Sequence, residues 1–241
     1  MAKVITQEQA ALLSNLVYAV STEGTNKGKF IFDNNEVKPV GSKATPTLHD
    51  YIYEKDSNGN QVFRKGIPID IQVKVSKLTE KYGNVLDKFE LRETSTTIEQ
   101  GGEVGVGGWD YYGIAISPVS DPSSVAIINK GTSAFGDGVS DIQMTAGEVS
   151  LNMLAGVNFV KKVQNNLEPT TISTTGHSEG GSISQAQNVI IGDKLGESVT
   201  FEAFGIDKTL QVEKVDGKYY EYQRTSGGVS VAVEVTDPTK I

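Results

Sequence analysis

The stretch TTGHSEGG, residues 174–181, places one serine between two glycines, each two positions away from it. The segment Gly176-His177-Ser178-Glu179-Gly180 matches the G-x-S-x-G pattern, in which a serine occupies a sharp turn between a strand and a helix. Side chains at the two flanking glycine positions would collide across such a turn. Glycine makes up 26 of the 241 residues, so the context of the pattern matters more than the match itself.

That context is a strand before the serine and a helix after it. The β-branched run at residues 170–175 predicts the strand. A helix is predicted to begin at or just after Ser178, because Ile183, Ala186, Ile190 and Ile191 recur at helical spacing before Gly192 stops it. The serine would then lie at a helix amino terminus, where the N–H of Glu179 and the helix dipole stabilise an oxyanion.

Alternating elements surround this unit. Apolar runs at residues 109–117 and 124–129 predict two strands, joined as a hairpin by the turn sequence PVSDPS. A long amphipathic helix is predicted over residues 141–163 and another strand over residues 198–205. The order of strands and helices indicates an α/β sandwich with a parallel sheet and right-handed crossovers.

The amino-terminal part is more polar. Apolar spacing predicts a packing helix over residues 7–20, capped by Thr6. Residues 22–108 read as a polar, β- and loop-rich insertion, with a strand at residues 69–75 and a hairpin turn at DSNGN, residues 56–60. DSNGN lacks the glycine position and closing glutamate of a calcium loop, and GGEVGVGG at residues 101–108 lacks the lysine and helix of a phosphate loop.

The composition restricts the partners and cofactors that the protein is expected to bind. Thirty acidic and 22 basic residues give a net charge of −8, and no Lys/Arg-rich stripe occurs, which argues against nucleic acid and anionic membranes as partners. We expect no metal site and no cofactor, because the chain has no cysteine and only two, well-separated histidines. No secretory signal or membrane span is predicted, so cytoplasmic residence and export without a cleaved leader, as for a bacterial protein, both remain open.

Two segments together resemble the class 3 lipases. AIINKGTSAFGDGVSDI, residues 126–142, is similar to their R-G-T-x-S-x-x-D-W-x-x-D segment, and TTGHSEGG is similar to their G-H-S-L-G-G turn. The preceding hairpin resembles the family's two strands. This chain departs from the family at Lys130, where arginine is usual, at Gly138, where tryptophan is frequent, and at Glu179, where leucine is usual.

The resemblance implies a single α/β-hydrolase-like domain over residues 1–241, with a central, mostly parallel sheet and a hydrolase core at residues 109–241. It implies hydrolysis of acyl esters of lipids by Ser178. The oxyanion hole would use Thr132, which follows Gly131, together with the N–H of Glu179. Acidic Glu179 beside the nucleophile favours a neutral ester over an anionic substrate.

The acid and base of a triad are harder to assign. The family order Ser, Asp, His points to Asp237, after a strand at residues 229–235, with Asp207 as the alternative. His177 directly precedes the serine, so its side chain is expected to point away and to pack. His49 is far upstream, and the simplest account places the catalytic histidine beyond Ile241. The alternative reading is a non-catalytic interaction or structural module that keeps the lipase scaffold.

Overall fold

A computed structural model describes residues 4–18, 30–33, 45–95, 111–131, 151–201, 203, 212–215, 218–224 and 230–235 of the chain. The helices are α1 (Gln7–Leu16), α2 (Leu48–Ile52), α3 (Ile69–Tyr82), α4 (Leu151–Leu167) and α5 (Glu179–Ile191). The strands are β1 (Tyr53–Lys55), β2 (Gln61–Phe63), β3 (Phe89–Thr94), β4 (Gly113–Pro118), β5 (Ser124–Asn129), β6 (Thr171–His177), β7 (Leu195–Phe201), β8 (Val212–Val215), β9 (Lys218–Arg224) and β10 (Ser230–Val235). Short 3₁₀ turns lie at Ile31–Asp33, Val85–Lys88 and Gly192–Lys194.

A five-stranded sheet in the order β3-β4-β5-β6-β7 forms the centre of the fold. The β4–β5 pair is antiparallel, as the predicted hairpin requires, and β3 adds antiparallel to β4. The β5–β6 and β6–β7 pairs are parallel, because α4 and α5 carry the chain back across the sheet between these strands. The sheet is therefore mixed rather than mostly parallel, and flanking helices make the architecture α/β.

Apolar side chains cover both faces of this sheet. Alternate residues of β4 and β5 point to opposite faces, so Ile114 and Ile128 join one cluster whereas Ala115 and Ile127 join the other. The first cluster packs against α1 and α3, and the second packs against α4 and α5. Continuous burial on both faces explains why β5 reads as an uninterrupted apolar run instead of an alternating one.

The prediction of a strand at residues 69–75 is wrong, because this segment forms the first half of α3. The helix buries Ile71 and Val75, whereas Ile69 is 78 % exposed and Val73 is 47 % exposed. Each pair is four residues apart, so apolar residues at alternate positions also satisfy helical periodicity. Pro68 precedes the helix and Gly83 ends it with a φ of 72°, and these boundary signals outweigh the β-branched composition.

Most other predicted elements are present. Helix α1 begins at the expected cap, where Thr6 Oγ1 accepts from Gln9 N at 3.2 Å and Gln9 Oε1 accepts from Thr6 N at 2.7 Å. It ends at Leu16, earlier than predicted. The DSNGN turn joins the antiparallel strands β1 and β2. Of the helix predicted over residues 141–163, the part before residue 151 lies outside the described residues.

Strand β10 matches the strand predicted near the carboxyl end of the chain. It pairs antiparallel with β9, and β9 pairs antiparallel with β8, which gives a three-stranded sheet of its own. None of the helices that the structure describes has the length and apolar character that a bilayer crossing requires.

Candidate active site

Ser178 occupies the junction between β6 and α5 in a strained backbone conformation, with φ 55° and ψ −127°. Among the non-glycine residues that the structure describes, only Ser178 and Glu168 have a positive φ. The Ser178 N–H donates to Phe201 O at 2.8 Å, and its carbonyl accepts from Gly181 N at 2.9 Å. Because such strain costs about 1–3 kcal/mol, it persists only where neighbours enforce it, and these two hydrogen bonds do so.

The glycines on either side of the serine are required by close contact. A Cβ atom on Gly176 would lie 2.3 Å from the carbonyl carbon and oxygen of Gly180. A Cβ atom on Gly180 would lie 2.4 Å from the carbonyl oxygen of Asn129, at the end of β5. The serine turn, residues 176–180, is therefore pressed against the neighbouring strand, with no space for a side chain at either glycine.

The loop after β5 passes directly beside the serine. A Cβ atom on Gly131 would lie 2.3 Å from the carbonyl oxygen of His177 and 3.3 Å from Ser178 Cβ. The structure thus brings together Gly131 and the serine turn, which the sequence placed about fifty residues apart. Thr132, Asp207 and Asp237 lie outside the described residues.

His177 faces helix α1. Its Nδ1 lies 3.3 Å from the hydroxyl oxygen of Tyr18, and the two rings meet edge to face with centroids 6.3 Å apart. The same hydroxyl accepts a hydrogen bond from the Gly131 N–H at 3.0 Å. Sequence reasoning missed Tyr18, because nothing in the residues around it indicates a contact with His177, 159 positions away.

Glu179, the residue after the serine, is a buried carboxylate and not a surface charge. It is 1 % exposed, and Asn152 Nδ2 in α4 donates to its Oε1 at 3.1 Å and to its Oε2 at 3.3 Å. Glu179 also lies in the first turn of α5, where the helix dipole stabilises a negative charge. Its carboxylate therefore ties the start of α5 to α4, while its backbone N–H lies next to Ser178.

A buried polar network lies beneath the serine turn. Asn129 is its centre: its Nδ2 donates to Ser184 Oγ at 2.9 Å and to Gln187 Oε1 at 2.7 Å, and its Oδ1 accepts from Tyr111 Oη at 2.7 Å. Ser184 Oγ in turn donates to the carbonyl of Gly180 at 2.9 Å. The network fixes the end of β5 to α5, and hence the two halves of the site to each other. Nothing in the sequence indicates this network except polar residues within apolar segments.

Lys130 is also buried at this junction. It is 3 % exposed, and its Nζ lies 4.6 Å from the centroid of the Tyr112 ring. A cation over an aromatic face is stabilised by the ring quadrupole. Lys130 thus helps to anchor the loop that carries Gly131.

His49 lies far from the serine. It belongs to α2, and Thr47, just before that helix, bridges to Glu90 near the start of β3. Strand β3 runs in the same direction as β6, so its start lies at the end of the sheet opposite to Ser178. Strand β3 is also three strands away from β6 in the sheet, which at about 4.8 Å per strand is roughly 14 Å.

The surroundings of His49 are those of a packing residue. Its ring packs against that of Tyr53 at a tilt of 33°, with centroids 4.8 Å apart, and its Nδ1 lies 3.8 Å from Asp87 Oδ1. Together these groups line a cavity of about 510 Å³. His49 and Ser178 therefore do not form one site. Across the described ranges, no group of three or more His, Cys, Asp or Glu side chains is arranged to hold a metal ion.

Comparisons with known proteins give limited information. No family model matches the sequence, and no curated protein matches it. Among solved structures, a fungal lipase in complex with an inhibitor, described in a model for interfacial activation, is similar over 42 % of this chain and 40 % of that chain. The identity is 16 % and the TM-score is 0.28. The likeness to a lipase is weak and partial, so the geometry around Ser178 has to carry any functional conclusion.

Proposed function

We propose that this chain is a serine ester hydrolase of the lipase type, with Ser178 as its nucleophile and a neutral acyl ester as its substrate. The observation that carries the proposal is the strained backbone of Ser178 at the start of α5, with the loop at Gly131 packed against it. Enzymes pay for such strain where it presents a reactive group. A partly exposed serine at a helix amino terminus suits attack on a carbonyl.

In the proposed reaction, Ser178 Oγ forms a bond to the ester carbonyl carbon and gives its proton to a base. The carbonyl oxygen becomes an oxyanion, held by the N–H of Glu179 and by Thr132. Collapse of this intermediate breaks the ester C–O bond, and the alcohol leaves with the proton from the base. Water then hydrolyses the acyl-serine by the same steps and releases the acid.

Neither histidine of the chain is placed to act as the base. His177 turns towards Tyr18, and His49 lies at the opposite end of the sheet. We therefore propose that a histidine outside these 241 residues completes the site and that Asp237 orients it. A serine without its histidine retains only a residual rate, roughly a million-fold below that of a complete triad.

This deficiency gives a direct test. We expect a fluorophosphonate probe to label the 241-residue chain slowly at Ser178. Added imidazole should speed labelling and the hydrolysis of 4-nitrophenyl butyrate by about 10-fold or more, because it supplies the missing general base. Peptide mass spectrometry identifies the labelled residue.

Two variants serve as controls. Ser178→Ala should lose both labelling and the imidazole-dependent rate above the background of imidazole alone. Ser123→Ala, in the β4–β5 turn, should retain both. Absence of labelling in the folded wild-type chain with imidazole, or equal labelling in Ser178→Ala, would refute the proposal and favour a non-catalytic module on a lipase-like scaffold.

A further inference from the structure

We propose that Tyr18 is a positioning residue for the oxyanion hole: its hydroxyl holds the Gly131 amide, one residue before the proposed donor Thr132, in a fixed place beside the serine turn. This inference rests on the proposed function and adds to the site a residue that lies just after the amino-terminal helix.

The Tyr18 hydroxyl joins the two backbone segments that would carry out the reaction. It accepts from Gly131 N at 3.0 Å, on the loop after β5, and it lies 3.3 Å from His177 Nδ1, next to the nucleophile. It also lies 2.5 Å from the place where a Cβ atom on Gly131 would be. Glycine at position 131 therefore allows both the hydroxyl and the carbonyl of His177 to approach the loop.

The Gly131 amide is directed at Tyr18, and an N–H that donates to a tyrosine oxygen does not bind an oxyanion. The donor that the proposed function assigns to this loop is that of the next residue in sequence, Thr132. Hydrogen-bond donors act on an oxyanion at about 2.7–3.1 Å, so a small rotation of the Gly131 peptide would misplace the amide that follows.

Helix α1, which precedes Tyr18, is packed tightly against the sheet. Leu13, Leu16 and Val17 are almost fully buried against the sheet. Ser14 Oγ lies 3.0 Å from Thr175 Oγ1 in β6, which links the helix to the strand that ends at the serine. Tyr18 lies two residues after the end of this anchored helix, so its hydroxyl is fixed relative to both β5 and β6.

The test is Tyr18→Phe, assayed with imidazole in the 241-residue chain. Without its acceptor, the Gly131 peptide turns more freely. We expect the maximal rate of ester hydrolysis to fall by about 10- to 100-fold with little change in KM, because the lost interaction acts in the transition state. Tyr53→Phe is the matched control, since it removes a hydroxyl bonded to Thr79 away from the site. It should retain the wild-type rate.

Two further measurements separate positioning from simple destabilisation. The wild-type chain should lose rate when a thionoester replaces the ester, because sulfur is a poorer oxyanion acceptor, and this difference should shrink in Tyr18→Phe. Hydrogen exchange of the Gly131 amide, followed by NMR, should become at least about 10-fold faster in Tyr18→Phe than in Tyr53→Phe.

The outcomes are distinguishable. An active wild-type chain with an equally active Tyr18→Phe variant, or unchanged exchange at Gly131, would overturn the role of Tyr18 alone. A folded wild-type chain that stays inert with imidazole would overturn the proposed function, and the catalytic role of Tyr18 with it.

Discussion

The serine turn and the hairpin turn at residues 56–60 are both tight turns with an essential glycine, yet they are built in different ways. In the hairpin, Asp56 Oδ1 accepts from Asn58 N at 2.9 Å and from Asn60 N at 2.8 Å, so its own residues hold the turn. Gly59 has φ 83°, and a Cβ atom there would meet nothing within 4 Å. Its requirement for glycine is conformational.

The serine turn depends on distant parts of the chain. Its backbone is held by the carbonyl of Phe201, and its glycines are fixed by contact with the end of β5 and with α5. At Gly180 the requirement for glycine is spatial, whereas the strained φ falls on Ser178. A locally stabilised turn needs little from the fold, but a turn that holds a side chain in a strained conformation needs the fold to enforce it.

Of the substitutions that test this contrast, Gly180→Ala should lower the free energy of unfolding the most. The new methyl group would meet backbone atoms of Asn129 and Lys130 at 2.4–2.9 Å. These backbone atoms lie at and just after the end of β5 in the central sheet, and they cannot move aside cheaply. We expect the free energy of unfolding to fall by about 3 kcal/mol or more. Urea denaturation followed by circular dichroism measures it.

Gly59→Ala is the matched substitution in the hairpin. It meets no atom, but it places a Cβ at positive φ, so we expect a loss of only about 1 kcal/mol. Losses of equal size at the two positions would show that the serine turn is no more tightly packed than the hairpin.

Ser178→Gly should change the free energy of unfolding by a smaller amount, and it should raise this free energy instead of lowering it. Glycine tolerates positive φ, so release of the strain at position 178 should raise the free energy of unfolding by about 0.5 to 1 kcal/mol, after the greater flexibility of glycine in the unfolded chain is subtracted. Fluorophosphonate labelling at this position should be lost. Ser178→Ala provides the comparison because it keeps the strain, and equal stability of the two variants would contradict the strain argument.

Asp56→Asn should have the smallest effect, a difference in Tm from the wild-type chain that depends on pH. The hydrogen bond from the backbone N–H of Asn60, followed by those from the Asn60 side chain and from other amides of the turn, lowers the pKa of Asp56. A carboxylate with a lowered pKa stabilises the fold above the pKa of the unfolded chain, about 3.9, and loses this effect as pH falls through the lower, folded-state value. The wild-type chain should therefore have a higher Tm than the variant at about pH 6, and the difference should shrink below about pH 4.

Calorimetry across this pH range measures the difference. The difference should remain small throughout, because Asp56 lies in a surface turn, where water screens its charge. A difference that stays constant from neutral to acidic pH would mean that the carboxylate charge has no part in holding the hairpin.

The sequence by itself determined the units whose signals are local. The capping pair Thr6 and Gln9 starts α1, the DSNGN turn joins two strands, and the strand–serine–helix unit follows its own pattern of β-branched and helically spaced residues. Each signal needs only neighbours within one turn of chain. Over Ile69 to Val75 the spacing of the apolar residues fits both the period of a strand and the period of a helix. Burial of one face of this segment favoured the helix.

Only the tertiary structure decided which of these units meet. Packing of α1 brings Tyr18 to the serine turn across 159 residues of sequence, and sheet order places β3, with His49 beside it, at the far end from Ser178. The polar network around Asn129 likewise joins segments more than fifty residues apart. Such contacts depend on the order of strands and the packing of helices across them, and a linear pattern of residue types does not encode these in any short window.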